Sequence, residues 1–272
     1  MEIQIGTPNT LDFNVGSIGG TKILETEYLS LERLGDYLYQ ATFDSVPEYK
    51  PINDVNIGSC TSFVRDGKLY RNFDWLYNNC PTFRVITKEF EGIASITTLV
   101  DGELNKEILG QLPYHVVDGC NNSGIRVSMH VLYNDFDFEG SGNNPIELLP
   151  NYILNNVKSL NNISAIRSYI ANLSIPTQLK EADYLLQFIV TDGTTTYYIG
   201  PSNNGYEIVN ITENPKLTNF KWVNKVTVER NDSDLQERPT GIERWNEVDD
   251  SLADLRFTLA YEAPDRLSEF IG

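Results

Sequence analysis

Apolar and polar residues alternate in short stretches toward both ends of the chain, and apolar residues recur every three or four positions only in the middle. Before residue 60, apolar runs such as Tyr37-Leu38-Tyr39-Gln40-Ala41-Thr42-Phe43 are broken by Gly, Asp and Pro, and residues 45–59 are polar and turn-rich. This predicts strands followed by an exposed linker. Residues 60–64 and 68–73 flank Arg65-Asp66-Gly67, a hairpin in which Asp-Gly supplies the positive φ of a tight turn. Further strands are expected over 83–88, 93–99 and 125–132. The spacing over 145–157 and 163–173 predicts two adjacent helices. Strands return at 184–191, 195–200 and 206–209, joined by Asp192-Gly193 and Asn204-Gly205. Strands, helices and strands again indicate an α+β chain whose sheets are covered by helices.

Composition narrows the function classes. With 272 residues, 40% of them hydrophobic, the chain can bury the core of one large domain. A formal net charge of −17 argues against nucleic acid as a partner, since that affinity rests on Lys and Arg neutralising phosphates. The same charge disfavours an anionic membrane face. Met1-Glu2-Ile3-Gln4-Ile5-Gly6 has no basic stretch leading into an apolar run, and no segment approaches membrane-spanning length, so no membrane insertion and a soluble, cytoplasmic protein are expected. The Asn-x-Ser/Thr sites at Asn121, Asn162, Asn172, Asn210 and Asn231 carry little weight in so Asn-rich a chain. Cys60, Cys80 and Cys120 are an odd number without CxxC spacing, which indicates neither a disulfide framework nor a zinc site; no metal or cofactor is expected. His115 and His130 are the two histidines, so a mechanism needing several is nearly excluded.

A Cys after Gly58-Ser59 is ordinarily a core residue. Here, however, Arg71-Asn72-Phe73-Asp74-Trp75 lies on the strand that the hairpin brings back beside Cys60, so a cation and an anion approach one thiol. A thiol attacks as thiolate, which a neighbouring guanidinium favours; Arg71 fits that role. If the Ser59–Cys60 bond is cut, the new α-amino group, with an ordinary pKa of about 7.7–8.0, can act as general base on the same residue, oriented by a carboxylate such as Asp74. The scheme needs no histidine.

Cys60-Thr61-Ser62-Phe63-Val64 and Arg71-Asn72-Phe73-Asp74-Trp75 resemble the two hallmark strands of the choloylglycine hydrolase and penicillin V acylase group of N-terminal-nucleophile (Ntn) hydrolases, the linear amide C-N hydrolases. The resemblance implies Cys60 as nucleophile and base, assisted by Arg71 and Asp74. Asp118-Gly119-Cys120-Asn121-Asn122-Ser123-Gly124-Ile125 is similar to the family's Asp-Gly-x-Asn-Glu-x-Gly-Leu segment, after which an Asn donates to the oxyanion. That position falls on or near His130, a departure; a histidine N–H can donate to an oxyanion, and an ordinary strand histidine is the other reading. Leu217-Thr218-Asn219-Phe220 resembles the stretch supplying a second active-site amide, from Asn219, with Asn214 a lesser candidate. Gly241-Ile242-Glu243-Arg244-Trp245 is similar to the segment holding a second functional arginine, Arg244. Tyr70 stands where many members have Gly, and the first hairpin is shorter than in bile-salt hydrolases.

The resemblance, which spans roughly residues 60–245, implies a four-layer αββα sandwich of two antiparallel sheets and hydrolysis of a small-molecule N-acyl amide after self-cleavage at Ser59–Cys60. Residues 1–59 are then a pro-segment or small subunit, and residues 60–272 the catalytic domain. A homo-oligomer is compatible with this reading. Two other readings stand beside it: a papain-like protease pairing Cys60 with His115 or His130, and a catalytically silent binding or structural protein of the same fold.

Overall fold

The computed structural model describes residues 11–12, 20–35, 38–51, 59–74, 81–95, 99–100, 103–133, 140–181, 184–202, 205–218 and 267–270. After β1 (Leu11–Asp12) comes a meander of β2 (Thr21–Glu25), β3 (Leu29–Gly35) and β4 (Leu38–Phe43). Two hairpins follow, β5 (Ser59–Arg65) with β6 (Lys68–Asp74) and β7 (Thr82–Ile86) with β8 (Phe90–Ser95). A short ladder of β9 (Leu99–Val100) and β10 (Glu103–Leu104), then α1 (Lys106–Leu109) and a 3-10 turn at Leu112–His115, lead to β11 (Val116–Asn121) and β12 (Arg126–Tyr133). The middle holds β13 (Asn144–Pro145), α2 (Leu149–Asn156), α3 (Ser164–Ile170), β14 (Leu173–Ser174) and α4 (Thr177–Glu181). The strands β15 (Tyr184–Thr191), β16 (Thr196–Ser202), β17 (Gly205–Asn210), β18 (Lys216–Leu217) and β19 (Leu267–Phe270) complete the described chain.

The result is a mixed α+β fold dominated by a ten-stranded sheet in the order β17-β16-β15-β12-β11-β8-β7-β4-β3-β2, with a five-stranded sheet in the order β1-β19-β6-β5-β18. Within these two sheets pairing is antiparallel except that β4 runs parallel to β7 in the large one and β1 parallel to β19 in the small one, where two antiparallel sheets were expected. The parallel step has a plain cause. After β4 the chain leaves the large sheet, forms β5 and β6 in the other, and returns as β7 beside the strand it left.

Side-chain alternation along β12 separates two faces. Val127, Met129 and Val131 are buried on one, while Ser128 and His130, also buried, take the other. Beside them on β15, Phe188 pairs with Met129, and Gln187 with His130. Helix α2 covers the apolar face. It starts with Pro150 in its first turn, where no N–H bond is lost, and buries Leu149, Ile153 and Leu154. A Cβ on Gly119 of β11 would stand 2.7 Å from Leu154 Cδ1 and 2.8 Å from the Glu91 carbonyl oxygen, so this close approach requires glycine. Asn121, two residues on, donates from Nδ2 to the carbonyls of Leu154 at 3.0 Å and Val157 at 2.8 Å, capping the end of α2. The hairpin β5–β6 packs on the opposite face, through Ser62 and Arg71.

Strands β2–β4 form an edge of the large sheet rather than an appendage: Leu29, Leu31, Ala41 and Phe43 are buried in its core. The chain beyond them is held as well. Gln111 accepts from the Lys50 amide at 2.7 Å and donates to the Glu48 carbonyl at 3.2 Å, while the Tyr114 hydroxyl donates to the Pro47 carbonyl at 2.8 Å. Tyr49 lies over Tyr114, with ring centroids 5.2 Å apart. Glu147 adjoins this cluster. Its Oε2 is enclosed without a hydrogen-bond partner among the described residues, and burial pushes its carboxyl from 4.5 up to about 7. Its charge in turn helps raise Tyr49 and Tyr169, after burial in both cases. No helix among the described residues is long and apolar enough to cross a membrane.

Candidate active site

The β5–β6 hairpin turns at Asp66 (φ 52°) and Gly67 (φ 74°), the left-handed pair that a two-residue hairpin loop needs. That turn fixes the register: Ser59 opposes Asp74, Cys60 opposes Phe73, Thr61 opposes Asn72, and Ser62 opposes Arg71. The strand carrying Arg71 and Asp74 therefore does return beside Cys60. Of Cys60 and Asp74 the structure describes the backbone.

Directly opposed residues share a face of the sheet, and Ser62 and Arg71 both reach across to the large sheet. Arg71 is fully buried. Its Nε donates to Asp118 Oδ1 at 2.9 Å and one terminal nitrogen donates to the Met129 carbonyl at 2.7 Å. Both members of this ion pair are inaccessible to solvent. Burial pushes the Asp118 carboxyl above its ordinary range, while Arg71, the Ser128 hydroxyl and the Met129 amide pull the other way. A buried pair of this kind does little for stability compared with apolar packing, because desolvation offsets much of the attraction. Its presence calls for another explanation than holding the sheets together.

Beside the ion pair lies a hydroxyl and imidazole cluster. Ser62 Oγ is 2.8 Å from Ser128 Oγ and 2.8 Å from His130 Nε2, and Ser128 Oγ is 3.3 Å from the same nitrogen. Ser128 opposes Asp118 in the β11–β12 register. Gln187, opposite His130 on β15, donates to the Thr218 carbonyl at 2.7 Å, tying the end of β18 to the large sheet. Leu217 of β18 opposes Ser62. The face between the sheets is therefore a buried polar seam running from Asp118 and Arg71 through Ser62, Ser128 and His130 to Gln187 and Thr218. On the other face of the hairpin Phe63 stacks on Tyr70, with ring centroids 4.8 Å apart and an interplanar angle of 6°, and the Arg65 guanidinium lies over the Phe63 ring at 5.5 Å. Tyr70 thus packs on its cross-strand partner.

The remaining sequence candidates fall in different places. His130 belongs to the seam, with Nε2 engaged by Ser62 and Ser128; a Cys-His protease would have to draw on that same nitrogen or on its ring partner. His115 sits in the 3-10 turn, its ring 6.3 Å from that of Tyr49. Asn121 is consumed in the α2 cap and in the turn it closes, where its Oδ1 accepts from the amides of Ser123 and Ile125. Asn214 is exposed in the turn before β18. Asn219 and Arg244 lie outside the described residues. Among the described residues no three His, Cys, Asp or Glu side chains converge as a metal site requires. Sequence reasoning placed Asp118 and Ser62 within motifs but gave them no role, and passed over Ser128 and Gln187. For Gln187 the signal is a polar residue at a buried position of an otherwise apolar strand.

No protein-family model matches the sequence, and no curated protein matches it. Solved structures are similar at low identity. A point mutant of the conjugated bile acid hydrolase from Clostridium perfringens has 18% identity and a TM-score of 0.43, over 76% of this chain and 74% of that one. A second variant of that enzyme has 15% identity and a TM-score of 0.33, over 78% and 70%. The penicillin V acylase from Agrobacterium tumefaciens has 14% identity and a TM-score of 0.31, over 61% of this chain and 47% of that chain.

Proposed function

We propose that the chain is a cysteine Ntn hydrolase that cleaves the linear C-N bond of an N-acyl amide after breaking its own Ser59–Cys60 bond. The observation that carries this reading is the β5–β6 register, which sets Ser59 and Cys60 opposite Asp74 and Phe73, with the fully buried Arg71 two residues along the strand from Phe73. In self-processing, the Cys60 thiol attacks the Ser59 carbonyl and the peptide bond becomes a thioester. Water then hydrolyses that thioester, leaving a Ser59 carboxylate and a free Cys60 α-amine. In turnover that amine takes the thiol proton, the thiolate attacks the substrate carbonyl, and the departing amine leaves with a proton. Water releases the acyl group from sulfur. Arg71 favours the thiolate, Asp74 orients the amine, and Asn219 with His130 or a neighbouring donor faces the oxyanion. Arg244 is the second functional arginine. The sequence motifs carry these assignments.

The same reading arranges the fold as four layers, αββα. The burial of Phe63 and Tyr70 on the hairpin face turned away from the large sheet supports a covering layer there. It also makes residues 1–59 a retained small subunit, since β2–β4 hold core positions in the large sheet.

Intact-mass analysis and N-terminal sequencing of the purified protein test the proposal. A chain beginning at Cys60 is expected, with the N-terminal fragment still bound, and Cys60→Ala should remain uncut. An uncut wild-type chain that hydrolyses acyl amides would overturn the mechanism. A panel of amides varied in acyl chain and amine then identifies the substrate class.

A further inference from the structure

Arg71 can influence a thiol on β5 only if its guanidinium is held in one place, and the groups that hold it come from the facing sheet. A planar guanidinium engaged through Nε and one terminal nitrogen has its orientation fixed. Here those two positions are taken by Asp118 Oδ1 on β11 and the Met129 carbonyl on β12. Of these, Asp118 alone brings charge. It is completely buried, and it stands opposite Ser128, whose hydroxyl reaches Ser62 on the nucleophile strand at 2.8 Å. A buried ion pair adds little to stability compared with apolar residues in the same place, and the motif resemblance gives Asp118 no role.

We propose that Asp118 is a positioning residue, which fixes the Arg71 guanidinium against the strand carrying Cys60 so that the cation's effect on the Cys60 thiol depends on the Asp118 carboxylate. The inference rests on Cys60 being the nucleophile. A structural carboxylate would affect melting alone; a positioning one acts through Arg71 and alters the thiol.

Two readouts separate these roles without a known substrate: the rate of Ser59–Cys60 cleavage in freshly translated chain, and the pH midpoint for alkylation by iodoacetamide, located at Cys60 by peptide mass. Asp118→Asn should slow cleavage at least about tenfold, the size of effect expected when a charge-assisted contact is lost, and raise the alkylation midpoint. In an Arg71→Lys background the same substitution should add less than about twofold, because residues acting as a unit are not additive. A folded Asp118→Asn chain with wild-type cleavage, with an unchanged or lowered midpoint, or with the same effect in both backgrounds, overturns the inference. Should Asp118→Asn not fold, Asp118→Glu keeps the charge but displaces it from Arg71 Nε, and an unchanged cleavage rate and midpoint in that variant overturn it equally. An uncut wild-type chain removes the nucleophile reading and this inference with it, whereas a cut wild type with an indifferent Asp118→Asn removes this inference alone.

Discussion

Glu147 gives the fold a measurable pH dependence, and its sign follows from which state binds the proton. In the folded chain burial raises its carboxyl from 4.5 to about 7; unfolded, it returns to its ordinary value. Between those limits the native state binds more protons, so this group's contribution to stability is complete below about pH 4.5 and is lost as pH rises through 7. At about 1.4 kcal/mol per pH unit the whole displacement is worth about 3 kcal/mol. Over the experimentally convenient interval from about pH 5.5 to about pH 8.5, the loss is about 2 kcal/mol. Glu147→Gln keeps the shape of the protonated side chain and cannot ionise.

Urea unfolding of both proteins at the two pH values provides the test, because subtracting variant from wild type cancels every other titrating group. Near pH 5.5, one unit above the unfolded value, the variant should already exceed wild type by about 1 kcal/mol. Near pH 8.5 the variant should exceed wild type by about 2 kcal/mol more than it does in acid. A difference constant to within about 0.5 kcal/mol across the interval, comparable to ordinary non-additivity, would falsify the claim that burial raises the Glu147 carboxyl. The groups charging against Glu147 are Tyr49 and Tyr169. Both are raised from an ordinary value of 10.0, so they remain neutral throughout the interval.

Other consequences are as direct. Gly119→Ala places a methyl against both a side chain and a backbone oxygen, and should destabilise by about 1–3 kcal/mol in urea titration; no loss would mean that β11 and α2 are not in this contact. Asn121→Ala leaves the Leu154 and Val157 carbonyls without their donor and should destabilise by about 2 kcal/mol, with faster amide exchange at the end of α2. Asp74→Asn should sharply reduce turnover while circular dichroism and melting stay near wild type; near-normal activity would remove Asp74 from the mechanism.

The elements legible in the sequence are those whose local chemistry and tertiary setting agree. Asp66-Gly67 fixes its hairpin in either context, and β15 appears over the residues its apolar run predicts because both of its faces are buried. Helix α2 is shorter than the spacing over 145–157 suggests. Ile146–Leu148 is wound as a 3-10 turn, and Pro150 sits in the first turn of the α-helix that follows. Strand β11 was not legible as a strand. Val116-Val117-Asp118-Gly119-Cys120-Asn121 contains Asp, Gly and Asn, residues that strands usually avoid. Each becomes acceptable through a distant partner: Asp118 through Arg71, Gly119 through the close passage of α2, and Asn121 through that helix's carbonyls. The same dependence hid half of the polar seam. Ser128 carries no motif of its own and Ser62 is given no role by the one it stands in; their meaning lies in meeting each other across 66 residues of chain.

The position of the N-terminal segment bears on what cleavage at Ser59–Cys60 can do. Leu29, Leu31, Ala41 and Phe43 are at most 3% exposed, and burying a large aliphatic or aromatic side chain contributes about 1.5–3 kcal/mol. β4 also shares a ladder of backbone hydrogen bonds with β7, and Pro47 to Lys50 are held by Gln111 and Tyr114. Cutting one peptide bond removes none of these contacts. Expelling residues 20–50 would instead expose an apolar edge of the large sheet, the kind of strand edge that recruits other chains. The proposed cut would therefore act at one end of β5, where it would free an amine, and would leave the sheet as it was. Arg71 and Asp118, buried in the uncut chain, would already be in place when that amine appears.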